Sequence, residues 1–150
     1  MRALGWDWKV SVMQFVKNEQ ETGEKRFASK LAPNFEMLQM GLGLTHNSKA
    51  SEAEHIQVAK TAWKKAKDYL QTGKVDLLVL DEFNIVLNLK WLEIEDVIEA
   101  LQKRPKWMHV IITGRDAPDK LLAISDLVSE INEIKHPYKS NIKSQKGIEY

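Results

Sequence analysis

Val75-Asp76-Leu77-Leu78-Val79-Leu80-Asp81-Glu82 is the stretch that decides how this chain folds. Five of its first six residues are apolar, and two adjacent carboxylates follow at once. Such a run predicts a strand buried on both faces, the kind found in a parallel sheet covered by helices. Carboxylates at its C-terminal end stand at the edge where open α/β sheets bind ligands.

The sequence on either side agrees. Ser51-Glu52-Ala53-Glu54 is a capping box with Ser51 as N-cap. Ile56, Ala59, Trp63, Ala66 and Leu70 follow at spacings of three and four, one buried face of a long helix that Gly73 stops. Further upstream, residues 9–15 alternate and predict a strand, and residues 35–40 predict another. Residues 1–4 have the form of the last turn of a helix, with Gly5 as its C′ residue. Residues 17–30 are polar and mixed in charge, a loop or a short exposed helix, and residues 41–48 read as a flexible loop.

Downstream, residues 92–104 predict a second helix with Ile94, Val97, Ile98 and Leu101 inward. Glu93, Glu95 and Asp96 lie near its N-terminus and Lys103 and Arg104 near its C-terminus, as the helix dipole favours. Residues 108–113 predict another buried strand, running into Gly114-Arg115-Asp116. Pro118 opens a short helix to about residue 124, and residues 127–131 predict a last strand. From His136 the chain is polar with scattered apolar residues. The alternation of strand and helix predicts α/β architecture with a parallel sheet.

With 150 residues, 43% hydrophobic and 29% charged, the chain suits one domain over residues 1–150 with a real core. A net charge of +1 gives no electrostatic reason to expect nucleic acid or an anionic membrane as partner. The absence of cysteine excludes disulfides, thiol catalysis and cysteine-ligated metal, and is compatible with the cytosol. No apolar run approaches the ~20 residues of a membrane span.

Asp81 and Glu82 after a buried run have the form of a Walker B strand, whose acids hold Mg²⁺ on a nucleoside triphosphate. The plainer alternative is a pair of solvated acids ending a strand. The partner such a strand needs, a G-x-x-x-x-G-K-S/T loop to cradle phosphates, does not occur in these residues. Thr113-Gly114-Arg115 suits phosphate, since glycine permits close backbone approach and arginine offers a bidentate fork. Taken alone, an ordinary strand-to-helix turn is the better explanation. Gly41-Leu42-Gly43 fails as a dinucleotide fingerprint, because the third glycine position is His46. The four histidines are not spaced for a local metal site. Of the five tryptophans, Trp63 falls on the inward helical stripe and the others suit rim packing.

Several segments together resemble the ATP:corrinoid adenosyltransferases of the bacterial cobalamin pathway, the cob(I)yrinic acid a,c-diamide adenosyltransferase family. They are Arg2-Ala3-Leu4-Gly5, Val12-Met13-Gln14-Phe15-Val16-Lys17, Thr22-Gly23-Glu24, Val79-Leu80-Asp81-Glu82-Phe83-Asn84 and Val110-Ile111-Ile112-Thr113-Gly114-Arg115. Ala100-Leu101 with Arg104-Pro105, and Asp126-Leu127-Val128-Ser129-Glu130, also match. The tail is the most specific, with Lys135-His136-Pro137-Tyr138 and Gln145-Lys146-Gly147-Ile148-Glu149-Tyr150.

The resemblance implies a RecA-like P-loop NTPase-type sheet flanked by helices, with the N-terminal strand and phosphate loop absent. It implies a cytoplasmic homodimer that transfers the 5′-deoxyadenosyl group from ATP to the cobalt of a reduced corrinoid, cob(I)alamin or a cobyrinic acid derivative. A flavoprotein reductase is an implied partner. The alternative is a non-catalytic family remnant that binds a corrinoid or a protein. By the same resemblance Glu82, then Asp81, would hold Mg²⁺, and Arg2 and Arg115 would lie near nucleotide or corrinoid. The family's Gly-Lys-Gly-Lys-Thr-Thr loop would precede Met1. Its Gly-Phe-Thr-Trp loop reads Gly43-Leu44-Thr45-His46 here, so Leu44 keeps an apolar corrinoid contact and His46 offers cobalt an imidazole.

Overall fold

The apolar run before Asp81 forms strand β3, Leu77–Asp81, at the centre of the molecule. The structure, a computed structural model, describes residues 1–18, 21–43 and 50–148. β3 lies between β1, Val10–Gln14, and β4, His109–Ile112, while β2, Phe35–Gln39, flanks β1 on the far side. The order is β2-β1-β3-β4, and every pairing is parallel. Between strands run α1, Gly23–Ala28; α2, Glu52–Thr72; α3, Phe83–Asn88; and α4, Ile94–Lys103, with α5, Asp119–Leu122, after β4. This is the expected α/β sheet of RecA-like type.

Residues in register share a face of a parallel sheet. Met13, Leu80 and Ile112 are aligned, as are Leu78 and Val110, and this face joins the main core with α2, α3, α4 and α5. α2 starts where the sequence places it. The Glu54 backbone N–H donates to Ser51 Oγ at 3.3 Å, and the Ser51 N–H donates to Glu54 Oε2 at 2.7 Å. It stops at Gly73, whose φ of 60° is left-handed and where a Cβ would lie 2.8 Å from the Trp107 ring. Ala59, Trp63, Ala66 and Leu70 are buried as predicted, and Ile56 is partly so. Trp63 Nε1 donates to Asp96 Oδ2 at 2.7 Å, and Lys67 pairs with the same carboxylate, tying α2 to α4. Phe83, fully buried, packs edge-on to Phe15 with centroids 4.7 Å apart.

Four expectations are corrected. Met1 begins a turn closed by the Gly5 N–H on the Met1 carbonyl, but it continues as a 3₁₀ helix over Leu4–Trp6. Its left-handed cap is Asp7, with φ 59°, instead of Gly5. β1 is buried along nearly its whole length instead of alternating, because it has neighbours on both sides. β4 is the reverse: it alternates between exposed and half-buried residues, because among the described residues it is the sheet's edge. Residues 127–131 form no strand. Leu127 and Ile131 are 81% and 95% exposed, since strand propensity without a ladder partner or a covered face does not hold an extended segment. No described helix is long and apolar enough to cross a membrane.

Candidate functional site

All strands run the same way, so β1, β3 and β4 deliver Gln14, Asp81 and Thr113 to one edge. Gln14 and Asp81 are register partners. Gln14 Nε2 donates to Asp81 Oδ2 at 3.1 Å, and Thr113 Oγ1 donates to Asp81 Oδ1 at 2.8 Å. Both oxygens of Asp81 are therefore engaged by neighbouring strands. The Thr113 oxygen also accepts the Glu82 backbone N–H at 2.9 Å.

Glu82 leaves the strand in the left-handed region, φ 59° and ψ 21°, where a residue with a Cβ is strained. The Asn84 N–H donates to the Thr113 carbonyl at 3.2 Å, and Asn84 Nδ2 donates to the Gly114 carbonyl at 3.2 Å. Gly114 has φ 128°, and a Cβ there would lie 2.9 Å from that of Asn84, so only glycine permits this approach. The turn after β3 and the turn after β4 are thus bound to each other.

Glu82 is half-buried, and its side chain is a hydrogen-bonding partner in none of the contacts above. Burial pushes its carboxyl above the ordinary value and the Asp81 charge adds to the push, while Lys17 and Arg115 pull against it. Among the described residues, Lys17 and Arg115 are the cations whose charges act on this carboxylate. Lys17 follows β1 and pairs with Glu24 of α1 at 3.2 Å. Arg115 is exposed, and its carbonyl accepts Asn88 Nδ2 at 3.0 Å. Gln14 Oε1 and Asn84 Oδ1 are buried without a hydrogen-bond partner. A separate cavity of about 280 Å³, lined by Ala50, Glu52, His55, Leu89 and Trp91, includes none of these acids. The edge therefore holds a half-buried carboxylate that feels the charges of Lys17 and Arg115, beside a second carboxylate with a hydrogen bond on each oxygen.

Comparison with known proteins agrees with this chemistry. The family described as "ATP:corrinoid adenosyltransferase BtuR/CobO/CobP" matches over residues 1–150. The chain belongs to the ATP:corrinoid adenosyltransferase family. A Corrinoid adenosyltransferase of Pseudomonas aeruginosa is 39% identical over 149 residues, covering 99% of this chain and 73% of that protein. The Escherichia coli K12 Corrinoid adenosyltransferase is 33% identical, and the Salmonella typhimurium Corrinoid adenosyltransferase CobA is 34% identical, each over 74% of its own length.

Of the residues the family resemblance singled out, Asp81, Glu82 and Arg115 come together at the C-terminal edge of the sheet. Arg2 does not join them. It sits in the exposed turn before β1, where the Trp8 N–H bonds the Ala3 carbonyl and Trp8 stacks on His109, the first residue of β4. That is the opposite edge. Leu44 and His46 lie outside the described residues. Gln14 and Lys17, and the bridging hydroxyl of Thr113, were not individually foreseen. A glutamine ending an apolar strand was the available signal, but its partner Asp81 is 67 residues away and known only from strand order.

Mg²⁺ typically takes one or two carboxylates together with substrate phosphates and retains several waters. A single uncommitted carboxylate fits that need. Among the described residues no group of three or more His, Cys, Asp or Glu is arranged to enclose an ion.

Proposed function

We propose that this transferase moves the 5′-deoxyadenosyl group of ATP onto the cobalt of a reduced corrinoid, using the C-terminal edge of the sheet as its nucleotide side. The observation that carries this reading is Glu82, a half-buried carboxylate with a raised pKa beside Lys17 and Arg115, in a chain of this family. Glu82 would hold Mg²⁺, with Asp81 behind it. When bound, the ion would neutralise charge on the leaving triphosphate.

The reaction needs little acid–base chemistry from the protein. Co(I) of the substrate is the nucleophile; its electron pair forms the Co–C bond to C5′. The C5′–O bond breaks, and triphosphate leaves with the electron pair of that broken bond. The protein's residues serve to position C5′ and to offset the negative charge of the departing group. Lys17 and Arg115 have the charge for the second task. ATP as substrate supports a cytoplasmic setting. A Co(II) corrinoid needs one electron before transfer, which supports a flavoprotein reductase as partner. The half-buried apolar residues Val12 and Val79 on the sheet's other face support pairing with a second copy.

The test is an anaerobic assay with chemically reduced cob(I)alamin and Mg·ATP, following the adenosylcobalamin spectrum and triphosphate release. Formation of both products supports the reading. Corrinoid binding without either product would favour a non-catalytic corrinoid-binding role.

A further inference from the structure

The two acids at the end of β3 are adjacent in sequence and unequal in circumstance. Asp81 has both oxygens taken, one by Gln14 Nε2 and one by the Thr113 hydroxyl. Glu82 has its backbone N–H on that same hydroxyl and its main chain in a left-handed conformation. We propose that Thr113 is a positioning residue for the metal–nucleotide site, its hydroxyl fixing the Glu82 main chain while Asp81 orients that hydroxyl instead of binding the ion. This rests on the metal role of Glu82 proposed above.

A hydroxyl has one hydrogen to give and lone pairs to receive. Asp81 Oδ1 takes the hydrogen at 2.8 Å, so the oxygen faces the Glu82 N–H with its lone pairs at 2.9 Å. The carboxylate thus sets the direction of the hydroxyl, and Gln14 fixes the carboxylate from the other side. The Thr113 carbonyl accepts the Asn84 N–H, so the single residue that follows β4 holds the turn after β3 at two points. A non-glycine residue in the left-handed region persists only when its surroundings hold it there.

The hydrogen-bond inventory discriminates this role from packing. Serine can donate and accept as threonine does. Valine has threonine's shape and can do neither. If Thr113 only filled space at a strand end, valine would serve at least as well as serine, because β-branched residues suit strands. Asp81→Asn separates positioning from ligation. The asparagine Oδ1 still accepts the Thr113 hydroxyl. Its Nδ2 then needs an acceptor, and the buried Gln14 Oε1, at present without a partner, becomes one when the glutamine amide turns over.

The experiment compares the 150-residue chain with Thr113→Ser, Thr113→Val and Asp81→Asn. Three readouts are taken: hydrogen-exchange protection of the Glu82 amide by NMR, the midpoint of Mn²⁺-induced broadening of resonances around Glu82, and the thermal midpoint. Wild type, Thr113→Ser and Asp81→Asn are expected to keep the amide protected and to share one Mn²⁺ midpoint. Thr113→Val is expected to lose the protection and to need ~10–100-fold more Mn²⁺, the range typical of disturbed outer-shell contacts. Equal protection in the serine and valine variants overturns the proposal, as does a Mn²⁺ midpoint for Asp81→Asn raised as far as that of Thr113→Val. If Thr113→Val does not fold, Asp81→Asn decides against wild type: a Mn²⁺ midpoint raised ~10-fold or more overturns the proposal, and an unchanged one supports it. If wild type binds no Mn²⁺, the metal role of Glu82 fails, and amide protection alone judges Thr113.

Discussion

Glu82 combines two disadvantages for folding, burial and the neighbouring Asp81 charge, at the position proposed for the cation. Glu82→Gln is expected to cut adenosyl transfer about 100-fold or more, since a metal clamp supplies several kcal/mol of charge stabilisation. The same change is expected to raise the thermal midpoint of the ligand-free chain at pH 7. The sign follows from linkage. A carboxyl whose folded pKa is raised favours folding fully below its unfolded value, and that contribution is lost as pH rises through the folded one. The advantage of glutamine therefore exists above the folded pKa and closes as pH falls below the ordinary 4.5. Thermal melts of both proteins across that range check it; a lower midpoint for glutamine at pH 7 would overturn it. The adjacency of the two acids is visible in the sequence, but their unequal roles are not. The difference is made by Thr113, 32 residues beyond Asp81.

At the scale of elements, α2 was legible from both its ends and its stripe. Its boundaries rest on local chemistry: a capping box at Ser51 and a left-handed glycine at 73. Ser51→Ala is expected to cost about 1 kcal/mol, the usual loss for an N-cap. Gly73→Ala is expected to cost at least about 1–2 kcal/mol from the left-handed backbone alone. The added Cβ would also meet Trp107 at 2.8 Å. Urea unfolding of the two variants should therefore rank Gly73→Ala below Ser51→Ala. The strands were less secure. Residues 127–131 carry as much strand character as β4, yet β4 pairs with β3 and they pair with nothing among the described residues. A helix brings its hydrogen-bond partners with it, whereas a strand must find them elsewhere in the chain.

Across the whole molecule, the helices cover one face of the sheet more fully than the other. Parallel sheets are ordinarily buried on both faces. Here Val12 and Val79 on the second face are half-buried, Ile111 of the edge strand is 48% exposed, and Leu127, Ile131 and Ile134 are open to solvent. An exposed sheet edge templates pairing with another chain. The 150-residue chain is accordingly expected to self-associate, and light scattering coupled to size-exclusion chromatography measures it. A monodisperse monomer with a cooperative melt would show that the open face is tolerated. Binding of Mg·ATP by these 150 residues is expected to be weak. Glu82 and two cations are present, but no glycine-rich loop supplies the backbone N–H groups that usually carry most phosphate contacts. Calorimetric titration giving micromolar affinity would contradict this.

By itself the sequence determined the α/β class, the long capped helix, the central strand and the presence of two acids at its end. Each of these is written in residues near one another: periodicity, caps and an apolar run followed by charge. The matching segments also placed the chain in its family. Only the tertiary structure decided that Gln14 and Thr113 occupy both oxygens of Asp81, that Arg2 lies at the opposite edge, and that β4 is the sheet's edge among the described residues. Those facts depend on which strands become neighbours. That order is set by long-range packing and backbone pairing, for which no local stretch of residues carries the partner's position.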